Sequence, residues 1–98
     1  MPYEVHLSNY GNIDHDENPY LPLSGTESGI WVPCDSIEQA QRIAEEYRDD
    51  NDLGSGNWAD PQVREVETGE VVGRISYNGR FWPADGSDHV EAPTARMR

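Results

Sequence analysis

The chain has no lysine, a single cysteine, and no apolar run near the ~18 residues a membrane span needs. Each absence excludes something. With no lysine, and no arginine before Arg42, the sequence lacks the positive surface that contact with nucleic-acid phosphate or anionic lipid requires. One cysteine, Cys34, excludes an intrachain disulfide and any multi-cysteine metal site. The opening "MPYEVHLSNYG" carries neither the basic nor the apolar region of a signal peptide, and a cytoplasmic location is expected.

What is abundant is acid. Nineteen Asp and Glu face seven Arg over 98 residues, for a formal charge of −12. The expected partner is therefore a basic protein surface or a cation, with no direct nucleic-acid or membrane contact. Leu, Ile, Val and Phe total only 17 residues, a composition bordering on disorder. Three Trp and five Tyr, most at positions where a pattern can be read, argue instead for a small folded core.

That pattern begins with "YEVHL" (3–7), where Tyr3, Val5 and Leu7 alternate as on a half-buried strand. Residues 8–28 read as a long polar loop, and "GIWVP" (29–33) as a second strand. "DSIEQAQRIAEEYRDD" is a helix with capping spacings at Ser36/Gln39 and Asp35/Glu38, and an apolar stripe of Ile37, Ala40, Ile43, Ala44 and Tyr47. Asn51 and Gly54 are its candidate stops. "PQVREVETGEVVGRISYNGRFWP" then holds two turn signals, Thr68-Gly69 and Asn78-Gly79. A two-residue type I′ turn at Asn78-Gly79 sets Tyr77 opposite Arg80 and Ile75 opposite Trp82, so that Val71, Ile75, Tyr77 and Trp82 face the helix. The expected fold is α+β: one domain over 1–83, an antiparallel sheet of four to five strands with one helix across it (β-β-α-β-β). From residue 84 to 98 a flexible polar tail is expected.

Catalytic and metal templates fail at defined positions. Asp14, Asp16 and Asn18 have the first spacings of a calcium loop, but Pro19 stands where glycine is needed and Gly25 where glutamate is needed. The run from Asp50 fails likewise at Ser55 and Pro61. His6, His15 and His89 fall on a strand, a loop and the tail, which does not suit zinc. Cys34 precedes the helix, where a thiol can be activated, yet Asp35 opposes that. "GSG" follows the helix rather than opening one, so no phosphate-cradling loop is present. No cofactor, metal or catalytic residue is expected, and the chain reads as a non-enzyme.

The remaining signal is "EEYRDDNDLGSGNWAD" (45–60), six carboxylates against one arginine. Acid is unfavourable at a helix C-terminus, whose unpaired carbonyls already carry partial negative charge. Glu45, Glu46, Asp49, Asp50, Asp52 and Asp60 are therefore candidate partner-binding residues, with Trp58 either an exposed aromatic anchor or packed on the sheet, the commoner fate of a tryptophan, and Asp14, Asp16 and Glu17 as a second acidic group. Such a ridge can imitate nucleic-acid phosphate, since duplex DNA carries one charge per ~1.7 Å of axis. Arg74, Arg80 and Trp82 on the hairpins are the competing candidate surface.

Two stretches resemble known families. "YEVHLSNYGN" followed by "GIWV" resembles the opening of the acidic anti-restriction proteins of plasmids and transposons. "SIEQAQRIAEE" followed by hairpins ending "YNGRFW" is similar in layout to small phage anti-CRISPR proteins. Both resemblances imply a mobile-element protein that inhibits a host nuclease defence system, with the acidic clusters standing in for phosphate. The alternative is a small acidic adaptor or accessory domain that binds a basic protein without mimicry. Monomer and dimer both stay open.

Overall fold

A computed structural model describes residues 2–11, 20–21 and 28–91. It is an α+β fold with one helix and an antiparallel sheet, as the patterning predicts. The strands are β1 (Tyr3–Asn9), β2 (Ile30–Cys34), β3 (Trp58–Ala59), β4 (Gln62–Glu65), β5 (Val71–Ile75) and β6 (Phe81–Pro83), and the helix is α1 (Ile37–Asp50). The sheet order is β2-β1-β4-β5-β6, and β3 pairs with the far end of β1. β3 and β4 thus run along the same edge of β1, interrupted at Asp60-Pro61.

α1 starts where the sequence provides a cap. The Ser36 hydroxyl accepts from the Gln39 amide at 3.1 Å, while the Gln39 side chain accepts from the Asp35 amide. The helix ends in a Schellman arrangement: the Leu53 amide donates to Arg48 O and the Asp52 amide to Asp49 O. The left-handed residue is Asp52 (φ 52°), not Asn51 or Gly54 as the sequence suggested. Asp tolerates that region better than most residues with a Cβ, so one carboxylate of the acidic run also serves the cap.

Alternation along β1 sends Val5 and Leu7 to one face, where Cys34, Val63, Ile75 and Phe81 join them against Ala40, Ala44 and Tyr47 of α1. Val5, Val63 and Ile75 are fully buried, each contributing roughly 1.5–3 kcal/mol. Cys34 lies in this core. Burial raises its thiol pKa, with Asp35 and Glu4 pushing the same way, so it stays protonated.

The second hairpin departs from the expected register by one residue. Ile75 pairs with Phe81 and Arg74 with Trp82. The turn has three residues, Tyr77-Asn78-Gly79, closed by Ser76 and Arg80, and only Gly79 has positive φ (87°). This is the type I turn with a left-handed third residue, which matches the twist of the strands as a type I′ turn does. A one-residue shift sends every side chain to the other face. Phe81 therefore enters the core in place of Trp82, and Trp82 stands on the face away from the helix.

The segment after β6, read from sequence as loose, returns to the sheet. Val90 and Phe81 exchange backbone hydrogen bonds of 2.8 and 2.9 Å. Gln41, 1% exposed, sets its side-chain nitrogen 3.0 Å from each of Gly79 O, Val90 O and Glu91 O, so its two N–H groups are shared among three carbonyls.

Phe81 fits only because Gly73 opposes its ring. A Cβ at Gly73 would lie 2.4 Å from Phe81 Cζ and 2.6 Å from Trp82 O. Gly73→Ala is expected to destabilise the fold by about 2–3 kcal/mol, read as a lower midpoint in chemical denaturation with an unchanged slope.

Candidate interaction surfaces

The six carboxylates of 45–60 do not form one continuous ridge. Gln41, Glu45 and Arg48 share one flank of α1, at i, i+4 and i+7, and that flank faces the β5–β6 turn. Glu45 is accordingly buried, with its carboxylate 4.0 Å from Arg48. Arg48 donates to Tyr77 O at 2.6 Å and pairs with Asp49 at 2.9 Å. Asp60 pairs with Arg74 on the opposite side of the sheet. Glu46, Asp49, Asp50 and Asp52 are what remains exposed at the helix end. Asp14, Asp16 and Glu17 lie outside the described residues.

Trp58 is a core residue rather than an exposed anchor. Pairing of Asn9 with Trp58 turns its ring inward, leaving it 5% exposed. Its indole N–H donates to Ile75 O at 3.3 Å, and Tyr77 meets it edge-on with centroids 5.9 Å apart. Trp58 alternates with Ala59 next to a strand partner, and that context outweighs the flanking Gly and Pro that suggested a loop.

Glu46 and Asp50, one turn apart, line a cleft of about 420 Å³ together with the apolar side chains of Leu7, Ile30, Ile43 and Tyr47. The Tyr47 hydroxyl accepts from the Asn9 amide at 2.7 Å, which sets the ring in place. The exposed lining of this cleft is mostly polar, contributed by Glu46, Asp50 and Asn51, with smaller apolar areas beneath.

The face of the sheet away from α1 carries the second surface, to which the shifted hairpin register adds Trp82. Two stacks of the same composition stand there. In one, Glu4 pairs with Arg64 at 2.9 Å, Arg64 lies 3.7 Å from the Trp31 ring centroid, and His6 packs on Trp31 at 4.8 Å. In the other, Asp60 pairs with Arg74, Arg74 lies 5.6 Å from the Trp82 centroid, and His89 packs on Trp82 at 4.8 Å. Arg80 belongs beside the second stack, since Glu91 bridges it to His89. Sequence reasoning named Arg74, Arg80 and Trp82 as a group but missed Trp31, His6 and Arg64. The alternation that placed Val5 and Leu7 inward also places Glu4 and His6 outward, and that signal was available.

Among the described residues, no three His, Cys, Asp or Glu are grouped to hold a metal ion, and no helix is long and apolar enough to cross a membrane. Comparison with protein-family models, with curated proteins and with solved structures finds no match.

The Glu91 carboxyl is held below its ordinary range, first by the hydrogen bond with His89 and then by Arg80. A carboxyl depressed on folding stabilises above its unfolded pKa, and that contribution is lost as pH falls through the folded value. The returning segment is therefore expected to loosen on acidification below the ordinary glutamate range. Faster exchange of the Val90 amide at low pH, absent from its dependence in Glu91→Gln, is the expected readout.

Proposed function

We propose that the chain is a non-enzymatic inhibitor of a host nuclease defence complex, whose acidic helix end occupies a basic nucleic-acid-binding groove. The observation that carries this reading is the placement of Glu46 and Asp50 together on one cleft, with Asp49 and Asp52 exposed beside them. From Glu46 to Asp52 the axis advances roughly 9 Å at ~1.5 Å per residue. With Asp49 paired to Arg48, the three remaining carboxylates stand roughly 4.5 Å apart on average along that axis, a somewhat looser spacing than that of strand phosphates. One strand of a duplex presents one per ~3.4 Å. The helix C-terminus adds partial negative charge in the same place. The resemblance to anti-restriction and anti-CRISPR proteins supplies the target class.

A second reading is favoured by the sheet face away from α1. Its two stacks bring Trp and Arg, the residues that dominate binding energy at protein interfaces, together with each arginine paired to a carboxylate. An accessory domain that binds a basic protein without competing with nucleic acid would use that face.

Competition separates the two. The chain is captured with its partner from a host lysate, and duplex DNA or guide RNA is added. The inhibitor reading expects displacement, and expects Glu46→Gln/Asp50→Asn/Asp52→Asn to weaken capture at least tenfold at moderate salt. Glu67→Gln/Glu70→Gln, which removes two carboxylates from the β4–β5 turn at the opposite end of β1, is the control for charge lost elsewhere and leaves capture unchanged. A ternary complex with DNA or RNA, together with full capture of the triple variant, would favour the accessory domain.

A further inference from the structure

Beyond the acidic helix end, the sheet face away from α1 holds a cleft of about 500 Å³ between β5, β6 and the turn that follows, walled by Trp82, Arg74, Gln62, Ser87, Asp88 and His89. A cleft of this size admits a side chain or small ligand. Its aromatic wall is held in place: the Trp82 indole N–H donates to Ser76 Oγ at 3.2 Å, and His89 lies tilted 34° against the ring.

The polar groups around it differ in availability. Asp85 is committed to Ser87, accepting from both its hydroxyl and its amide. Glu91 is shared between Arg80 and His89, and Asp60 holds Arg74. Asp88 lines the cleft, is exposed, and makes no hydrogen bond or ion pair with another described residue. Four carboxylates (Asp60, Asp85, Asp88 and Glu91) thus stand against two arginines, within a chain of net charge −12. Such a field disfavours an anionic ligand and attracts a cation.

A tryptophan face is the strongest aromatic partner for a cation. Between the two basic side chains, the geometry selects arginine. Its planar guanidinium stacks on an indole and still offers a donor edge to a carboxylate, and it is less strongly hydrated than an ammonium group. We propose that this cleft receives an arginine side chain of a basic protein partner, lying against the part of Trp82 left exposed by His89 and Arg74 and paired with Asp88. The inference rests on the reading of the partner as a basic protein, and it adds a second anchor on the side of the sheet opposite α1.

The test uses the full chain, ¹⁵N-labelled, titrated with N-acetylarginine amide, N-acetyllysine amide and the neutral isostere N-acetylcitrulline amide. The arginine compound is expected to move the Trp82 indole resonance and the amides of 87–89 in a saturable way, with the Trp31 and Trp58 indoles unmoved. Asp88→Asn is expected to weaken that binding about fivefold, and being an exposed turn substitution it leaves the rest of the spectrum in place. Equal response to lysine or citrulline, or unchanged affinity in Asp88→Asn, would overturn the proposal. Binding seen only after Arg96→Gln/Arg98→Gln would also overturn it, by assigning the cleft to the chain's own arginines. The Glu46→Gln/Asp50→Asn/Asp52→Asn variant should bind the arginine compound normally, so failure of the inhibitor reading and failure of this cleft are told apart.

Discussion

Gln41 sits almost fully buried on the flank of the helix, and its amide group gathers three backbone carbonyls from two segments distant in sequence, Gly79 of the β5–β6 turn and Val90 and Glu91 beyond β6. A buried carbonyl without a donor costs about 1–3 kcal/mol, so this side chain ties the turn to the returning segment, which the Phe81–Val90 backbone pair also holds. With the turn held, Arg48 reaches Tyr77 O, and the Tyr77 hydroxyl donates to Leu53 O at the helix end. With Val90 held, the 84–89 turn closes one wall of the Trp82 cleft. The helix end and the sheet face are therefore linked through the same buried amide.

Charge is distributed by the same packing. Each described arginine has a carboxylate partner: Arg42 with Glu38, Arg48 with Asp49, Arg64 with Glu4, Arg74 with Asp60 and Arg80 with Glu91. At these partly exposed sites each pair contributes at most about 1 kcal/mol. Their larger effect is to consume positive charge, so the net negative field is concentrated where no described arginine reaches. Glu46, Asp50 and Asp52 occupy such a place. The acid at the helix C-terminus is tolerated because Arg48 offsets part of it and Asp52 completes the cap.

The features legible in the sequence were those set by local period and capping. Alternation in "YEVHL", the apolar stripe of α1 and the Ser36 cap each correspond to an observed element, and together they fix the α+β class. What sequence could not supply was tertiary. Asn78-Gly79 does mark a turn, but whether two or three residues span it depends on which of Phe81 and Trp82 fits opposite Gly73. That choice exchanges a core aromatic for a surface one. Glu45 was grouped with the exposed acid and Gln41 lies outside the apolar stripe, and only the nearby turn and returning segment make their flank an interior one. Trp58 was misread for the same reason, since its strand partner is Asn9, 49 residues away in the chain.

The claim on which the functional reading turns is that the helix end, and not acidity in general, makes the contact. Carbodiimide footprinting of carboxylates, compared by mass spectrometry between the free chain and the complex captured from host lysate, tests it directly. Protection confined to Glu46, Asp50 and Asp52, with Glu67 and Glu70 labelled equally in both states, is the predicted result. Unchanged labelling of Glu46, Asp50 and Asp52 in a stable complex would contradict it.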